Sequence, residues 1–214
     1  MTNEAGITKA LAAIITAAGC GDWIVGGSAG LLLRGLKLPA EPRDLDLYCD
    51  ETDMRKLHDR LQKYAIDDPA YSETDIYRSW LSHYQIEGIR LELVGGFRVT
   101  AHGCSYRTEV KEALLPLGSP VSVDNRMADA VIVPLAHELW FNALRGRADR
   151  VQLIAEAFAA SPAVHLEALR IIESRNEFNS CAISQVHRWI RNAEAGDEEW
   201  TLKSFSGQAA KLSV

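Results

Sequence analysis

Asp44, Asp46 and Glu92, together with the glycine turn Gly26-Gly27-Ser28, are the residues whose types and spacing could do chemistry. Asp44 and Asp46 alternate with Leu45 and Leu47. Side chains two apart on a strand emerge on one face, roughly 6–7 Å apart at Cα. Such a pair can grip one or two divalent cations from one side while the leucines hold the strand against a core and keep its register. Magnesium prefers hard oxygen ligands and commonly takes one or two carboxylates plus substrate phosphates. Paired metals in phosphoryl-transfer sites lie roughly 3.5–4 Å apart, a gap that two such aspartates can bridge. Glu92 is the natural third acid, because Ile89, Leu91 and Leu93 point one way and Arg90 and Glu92 the other.

The glycines supply a complementary feature. A strand that ends in Gly26-Gly27 and enters a helix presents backbone N–H groups with no side chain to obstruct close approach. The helix N-terminus adds partial positive charge, so a phosphate can sit there. The Ser28 hydroxyl can donate one more hydrogen bond. Arg43, just before the acid strand, is either a further phosphate contact or a solvated residue.

These residues need elements to position them. Ile7, Leu11, Ile14, Ile15 and Ala18 recur on one helical face, and Gly19 and Gly21 end that helix. Trp23-Ile24-Val25 reads as a short buried strand, with a helix following Ser28 through Leu31-Leu32-Leu33. Pro39 and Pro42 break that pattern, and Asp44 to Tyr48 alternates as a half-buried strand does. A helix is expected over about 52–64, and strands over 80–86 and 89–94 joined by a tight turn at Glu87-Gly88. Pro116 to Pro120 is a punctuated stretch. Beyond about 126 the helical period dominates, through Leu135/Leu139/Ala143, Val151/Ile154/Phe158 and Ile183/Val186/Ile190.

Trp23-Ile24-Val25-Gly26-Gly27-Ser28-Ala29 followed by Asp44-Leu45-Asp46-Leu47 resembles the signature of the polymerase-β-type nucleotidyltransferase superfamily. Within it the chain is most similar to small bacterial members, the aminoglycoside and lincosamide nucleotidyltransferases and the abortive-infection toxin nucleotidyltransferases. Pro134 to Leu139 and Gly146 to Arg150 resemble a segment that some of these carry, while residues 160–214 match no such pattern. The resemblance implies an α/β (α+β) fold, with a nucleotidyltransferase core of mixed sheet and flanking helices over 1–125 and a C-terminal helical domain over 126–214. It implies Mg²⁺ (or Mn²⁺) held by Asp44, Asp46 and Glu92, which are also the catalytic residues. An NTP, ATP by expectation, would have its phosphates at Gly26, Gly27, Ser28 and Arg43, and NTP and acceptor would share the cleft between the domains. The acceptor would be an aminoglycoside-like small molecule (antibiotic resistance) or, in a toxin–antitoxin setting, tRNA or a protein. Two departures stand out: the third acid is often aspartate, and the helix after Pro134 often carries a lysine where this chain has Asn142, Arg145 and Arg147.

Other readings are weaker. Gly26-Gly27-Ser28-Ala29-Gly30 also satisfies G-x-S-x-G, the nucleophile elbow of a serine hydrolase. About 25 residues precede it, too few for the strands and oxyanion loop such a fold needs upstream, and the acids would go unused. His137-Glu138 begins a zinc-protease pattern, but Phe141 stands where the second histidine belongs. A binding protein that has lost activity would not need the intact acids.

Composition sets the remaining bounds. The 214 residues, 47% of them hydrophobic, can bury a proper core. No export signal or membrane-spanning run is evident, and four scattered cysteines suggest neither disulfides nor zinc, so a cytoplasmic location is expected. The net charge of −6 argues against a broad nucleic-acid surface. An acidic stretch (Asp67, Asp68, Glu73, Asp75) suits a cationic acceptor, whereas Arg145, Arg147, Arg150, Arg188 and Arg191 are the candidate RNA face.

Overall fold

The computed structural model describes residues 3–123 and 130–195. They divide into two compact units, one holding the described residues of Met1–Arg98 and Arg107–Pro134, the other those of Val99–Tyr106 and Leu135–Val214. The boundary expected between 125 and 126 lies outside the described residues.

In the first unit, helix α1 (Asn3–Ala18) buries Ile7, Leu11, Ile14 and Ala18. It stops where Gly19, at φ +72, donates its N–H to Ile15 O at 2.9 Å, a left-handed cap that glycine adopts freely. Strand β1 (Ile24–Gly26) passes directly into α2 (Gly27–Leu33), and β2 (Asp44–Cys49) carries the aspartates. A 3-10 turn at Glu51–Asp53 leads into α3 (Met54–Leu61). Next come β3 (Ala70–Glu73), β4 (Tyr77–Ile86), β5 (Ile89–Ala101) and β6 (Cys104–Arg107). A π-helical turn at Val110–Leu114 is followed by the single turn α4 (Leu115–Leu117), β7 (Ser119–Val121) and β8 (Ala130–Ile132).

The sheet runs β3-β4-β5-β2-β1-β8-β7, with β6 pairing β5 off this path. It is mixed: β2 is antiparallel to β1 and parallel to β5, and β1 is parallel to β8. One side of its centre is apolar. Leu45, Leu47, Leu91 and Leu93 are fully buried and join Tyr84 and Ile86 in a cluster with Leu11 and Ile14 of α1 and Leu57 and Leu61 of α3. Burying such a leucine stabilises by about 1.5–3 kcal/mol, which fixes the face on which the alternate residues must emerge.

The second unit takes the end of β5, most of β6, and helices α5 (Leu135–Leu144), α6 (Ala148–Ala159), α7 (Pro162–Arg175) and α8 (Ser180–Ala195). Helix α5 packs on α6, α7 and α8. His137, the start of the abandoned zinc pattern, is a core residue here. It is fully buried, stacks on Phe141 at 5.3 Å, meets the Tyr106 hydroxyl at 2.5 Å, and burial pushes its pKa down to about 3.

Several sequence expectations shift. The helix placed over 52–64 is α3 with a 3-10 turn at each end, and the two expected strands extend to Tyr77 and Ala101. A strand, β8, lies within the stretch beyond 126 expected to be helical, because three apolar residues give no period to read. β3 and β7 occupy the sheet edges, where half-exposed polar sequence and a proline at 120 are tolerated and leave no alternation. Helix α7 falls within the stretch expected to be helical, though without a period of its own in the sequence, because Val164 and Leu166 are exposed and blur its apolar stripe. Among the described residues no helix is long and apolar enough to cross a membrane.

Candidate active site

Register assembles the site. On the antiparallel side Gly26 lies opposite Asp46, and on the parallel side Asp46 lies opposite Glu92, with Asp44 opposite Arg90. Residues opposed across a sheet share a face, and neighbouring strands lie roughly 4.8 Å apart. Asp44, Asp46 and Glu92 therefore emerge together on the face away from the buried leucines, each half-buried. The expected third acid is brought to the pair by strand pairing.

The glycine turn touches the same group. Gly27 has φ +63, and a Cβ built there would stand 1.9 Å from Asp46 Oδ2. The Asp46 carboxylate thus lies against the Gly27 backbone at the first residue of α2, and only glycine leaves it room. A Cβ on Gly26 would meet the Tyr48 ring at 2.2 Å, so the first glycine seats an aromatic ring two residues beyond Asp46. Ser28 is the second residue of α2 and half-buried, next to this junction. Arg43 is exposed immediately before β2, outside the row of opposed residues.

Among the described residues no three His, Cys, Asp or Glu side chains are gathered closely enough to hold an ion by themselves. Carboxylate oxygens on one face, with phosphate oxygens completing the shell, nevertheless suit a magnesium-type ion.

The row continues past Glu92 to a residue that the sequence reading missed. His83 Nε2 is 3.8 Å from Glu92 Oε1, and Arg90 Nη2 is 3.9 Å from the same oxygen. Asp67 takes hydrogen bonds from the His83 backbone N–H at 2.7 Å and from its ring Nδ1 at 2.6 Å. Burial opposes ionisation of Asp67, but the hydrogen bonds from His83 and the nearby charges of His83 and Arg90 hold its pKa below the usual carboxylate value. The signal for His83 was present in the hairpin: it stands as far before Glu87 as Glu92 stands beyond Gly88. Glu87 at φ 51 and Gly88 at φ 80 have the two left-handed residues of a tight two-residue turn, which imposes that pairing.

Part of the candidate basic face is paired internally, two arginines sharing one carboxylate. Arg147 is bidentate to Asp149 at 3.1 and 3.0 Å, and Arg150 Nε lies 3.8 Å from the same carboxylate. The acidic stretch is also partly paired, Asp67 with His83 and Glu73 with Arg78 at 2.8 Å.

No family model matches the chain, and no curated protein matches it by sequence. Among solved structures it is similar to a Thermotoga maritima protein assigned as a nucleotidyltransferase, with a TM-score of 0.53 at 19% identity over 69% of this chain and 89% of that one. A looser similarity, TM-score 0.41 at 13% identity over 91% of this chain and 99% of the other, is to ANT(2'')-Ia in complex with adenylyl-2''-tobramycin. The solution structure of the antibiotic-resistance factor ANT(2'')-Ia gives 0.44 at 11% identity, over 87% of this chain and 97% of that one. The chain shares the fold of that Thermotoga maritima protein.

Proposed function

We propose that the protein is a divalent-metal-dependent nucleotidyltransferase that moves a nucleoside monophosphate from an NTP to an acceptor hydroxyl. The observation that supports this best is the row Gly26–Asp46–Glu92, with the Gly27 backbone against the Asp46 carboxylate. It sets a side-chain-free turn into a helix beside acids on one face, as a charged α-phosphate and its counter-ions require.

In this reading Gly26, Gly27 and Ser28 receive the phosphates, with Arg43 as a further contact. Asp44, Asp46 and Glu92 hold the metal side, with Mg²⁺ or Mn²⁺ as the ion and ATP as the donor. When bound, the ion neutralises charge on the phosphates and aligns the attacking and departing oxygens. The acceptor oxygen forms a bond to the α-phosphorus while the bond to pyrophosphate breaks. The hydroxyl proton passes to a carboxylate, Glu92 or a nearby acid serving as general base.

The acceptor we favour is a cationic small molecule of the aminoglycoside type, because the chain carries a net charge of −6 and Arg147 and Arg150 are engaged with Asp149. Incubation with each labelled NTP and Mg²⁺ against aminoglycosides, lincosamides, bulk tRNA and cell lysate tests both levels. Label transfer that needs metal and fails in Asp46→Asn is expected. No transfer to any acceptor would sink the enzymatic reading, and transfer to tRNA alone would replace the small-molecule acceptor.

A further inference from the structure

We propose that Asp67 and His83 form an arm that positions Glu92, making His83 a positioning residue for the transfer reaction; this rests on the nucleotidyltransferase reading above. Glu92 has one more rotatable bond than an aspartate at the same place, so its carboxylate needs outside restraint to stay over the row. The neighbours supply that restraint. Asp67 holds His83 at two points, its backbone N–H at 2.7 Å and its ring Nδ1 at 2.6 Å. A carboxylate can only accept, so the ring hydrogen on Nδ1 points to Asp67, which fixes the ring and directs Nε2 to the other side.

On that other side lies Glu92 Oε1, 3.8 Å from Nε2 and 3.9 Å from Arg90 Nη2. Arg90 on β5 and, when both its ring nitrogens carry hydrogen, His83 on β4 address the same oxygen and restrain the carboxylate. The spacing is longer than a hydrogen bond, and contacts of this kind tighten when a reacting complex forms. The ring is only 21% exposed and Glu92 29%, so the restraint acts in a partly dry setting. Asp67 itself lies on the loop before β3, remote in sequence from every residue of the acid row. Its hydrogen bonds to His83 connect that loop to the row.

Two measurements test the arm. In protein labelled with ¹⁵N-histidine and free of substrate, His83→Gln identifies the His83 ring signals among the six histidines. Glu92→Gln should then move those signals, and Asp67→Asn should move them further, with the backbone amide spectrum otherwise preserved. Ring signals indifferent to Glu92→Gln overturn the arm.

The second measurement is pyrophosphate release from ATP with Mg²⁺ and tobramycin. His83→Phe should lower kcat about 10–100-fold, the usual cost of removing an outer partner of a site ligand. KM for ATP should stay within about twofold, and His83→Gln should recover part of the loss. In a Glu92→Asp background, whose shorter acid no longer reaches the ring, His83→Phe should cost nothing further. Additive losses, or a kcat that His83→Phe leaves intact while Asp46→Asn abolishes it, overturn the positioning role alone. Pyrophosphate release absent here and with every other NTP and acceptor of the labelled screen, or release that Asp46→Asn leaves unchanged, sinks the transfer reading itself. The ring spectra still decide in that case whether His83 and Glu92 are coupled.

Discussion

At the scale of single residues, Gly27 and Asp46 are one feature. A Cβ at Gly27 would occupy the position of Asp46 Oδ2, and at φ +63 an alanine also carries a left-handed penalty of about 1–2 kcal/mol. Gly27→Ala should therefore displace the Asp46 carboxylate and, on the proposed reading, also obstruct a phosphate. We expect both a raised KM for NTP and a lowered kcat, with a modest fall in melting temperature. A variant with raised KM alone would show that the acid accommodates the methyl group. Ser28→Ala separates two chemistries. As a phosphate donor Ser28 contributes one hydrogen bond to a charged group, about 1.5–3 kcal/mol, so activity should fall yet remain measurable. Covalent labelling of Ser28 by a fluorophosphonate, with total loss in the alanine variant, would instead establish a serine hydrolase.

Among the elements, the far end of β2 is tied down by charge. Asp50 accepts hydrogen bonds from the backbone N–H of Val110 at 2.8 Å and Lys111 at 3.0 Å, capping the π-helical turn. The Lys111 ammonium reaches Asp22 at 3.0 Å and Asp53 at 2.7 Å, and Lys56 reaches Asp22 at 2.5 Å. Hydrogen bonds from Lys56 and then Lys111 hold the Asp22 pKa below its ordinary value, against the opposing effect of burial. A carboxyl whose folded pKa is lowered stabilises the fold above its unfolded pKa, and that contribution is lost as pH falls through the folded value. Urea melts should thus show stability falling below about pH 4, the unfolded aspartate value. Lys111→Met should be less stable at pH 7, with a shallower loss on the acid side. An unchanged acid limb in that variant would show that the tie contributes nothing to the pH dependence.

For the whole molecule, ligand linkage is the broadest test. A ligand that binds only the folded chain stabilises it by about 2.7 kcal/mol at 100 times its Kd. ATP with Mg²⁺ should raise the melting temperature, EDTA should remove the effect, and Asp46→Asn should show none of it. A shift that survives EDTA would argue against metal-assisted binding. Acceptor class is also a whole-molecule property. Binding of tRNA should fall steeply with salt, log K dropping by about 0.7 per neutralised phosphate for single strands per decade of salt. Given the Arg147–Asp149 and Arg150–Asp149 pairs, we expect no such binding at low salt.

The sequence by itself determined the chemistry-bearing parts and the strands that carry them. Asp44, Asp46 and Glu92 were legible because polar residues alternated with Leu45, Leu47, Leu91 and Leu93, and burial of those leucines leaves the acids one face to occupy. The glycine pair was legible because its position between strand and helix has a local cause. Which strands lie side by side was decided by tertiary structure alone. The parallel pairing of β2 with β5 joins segments separated by α3, β3 and β4, and no local period encodes such a partner. The edge strands were hidden for the opposite reason, since little burial imposes little pattern. The approach of Gly27 to Asp46 likewise depends on a φ value and a sheet register that appear only when β1 and β2 meet. His83 lay between these cases. The tight turn at Glu87-Gly88 sets it opposite Glu92, but only the folded loop brings Asp67 to its ring and gives that position a purpose.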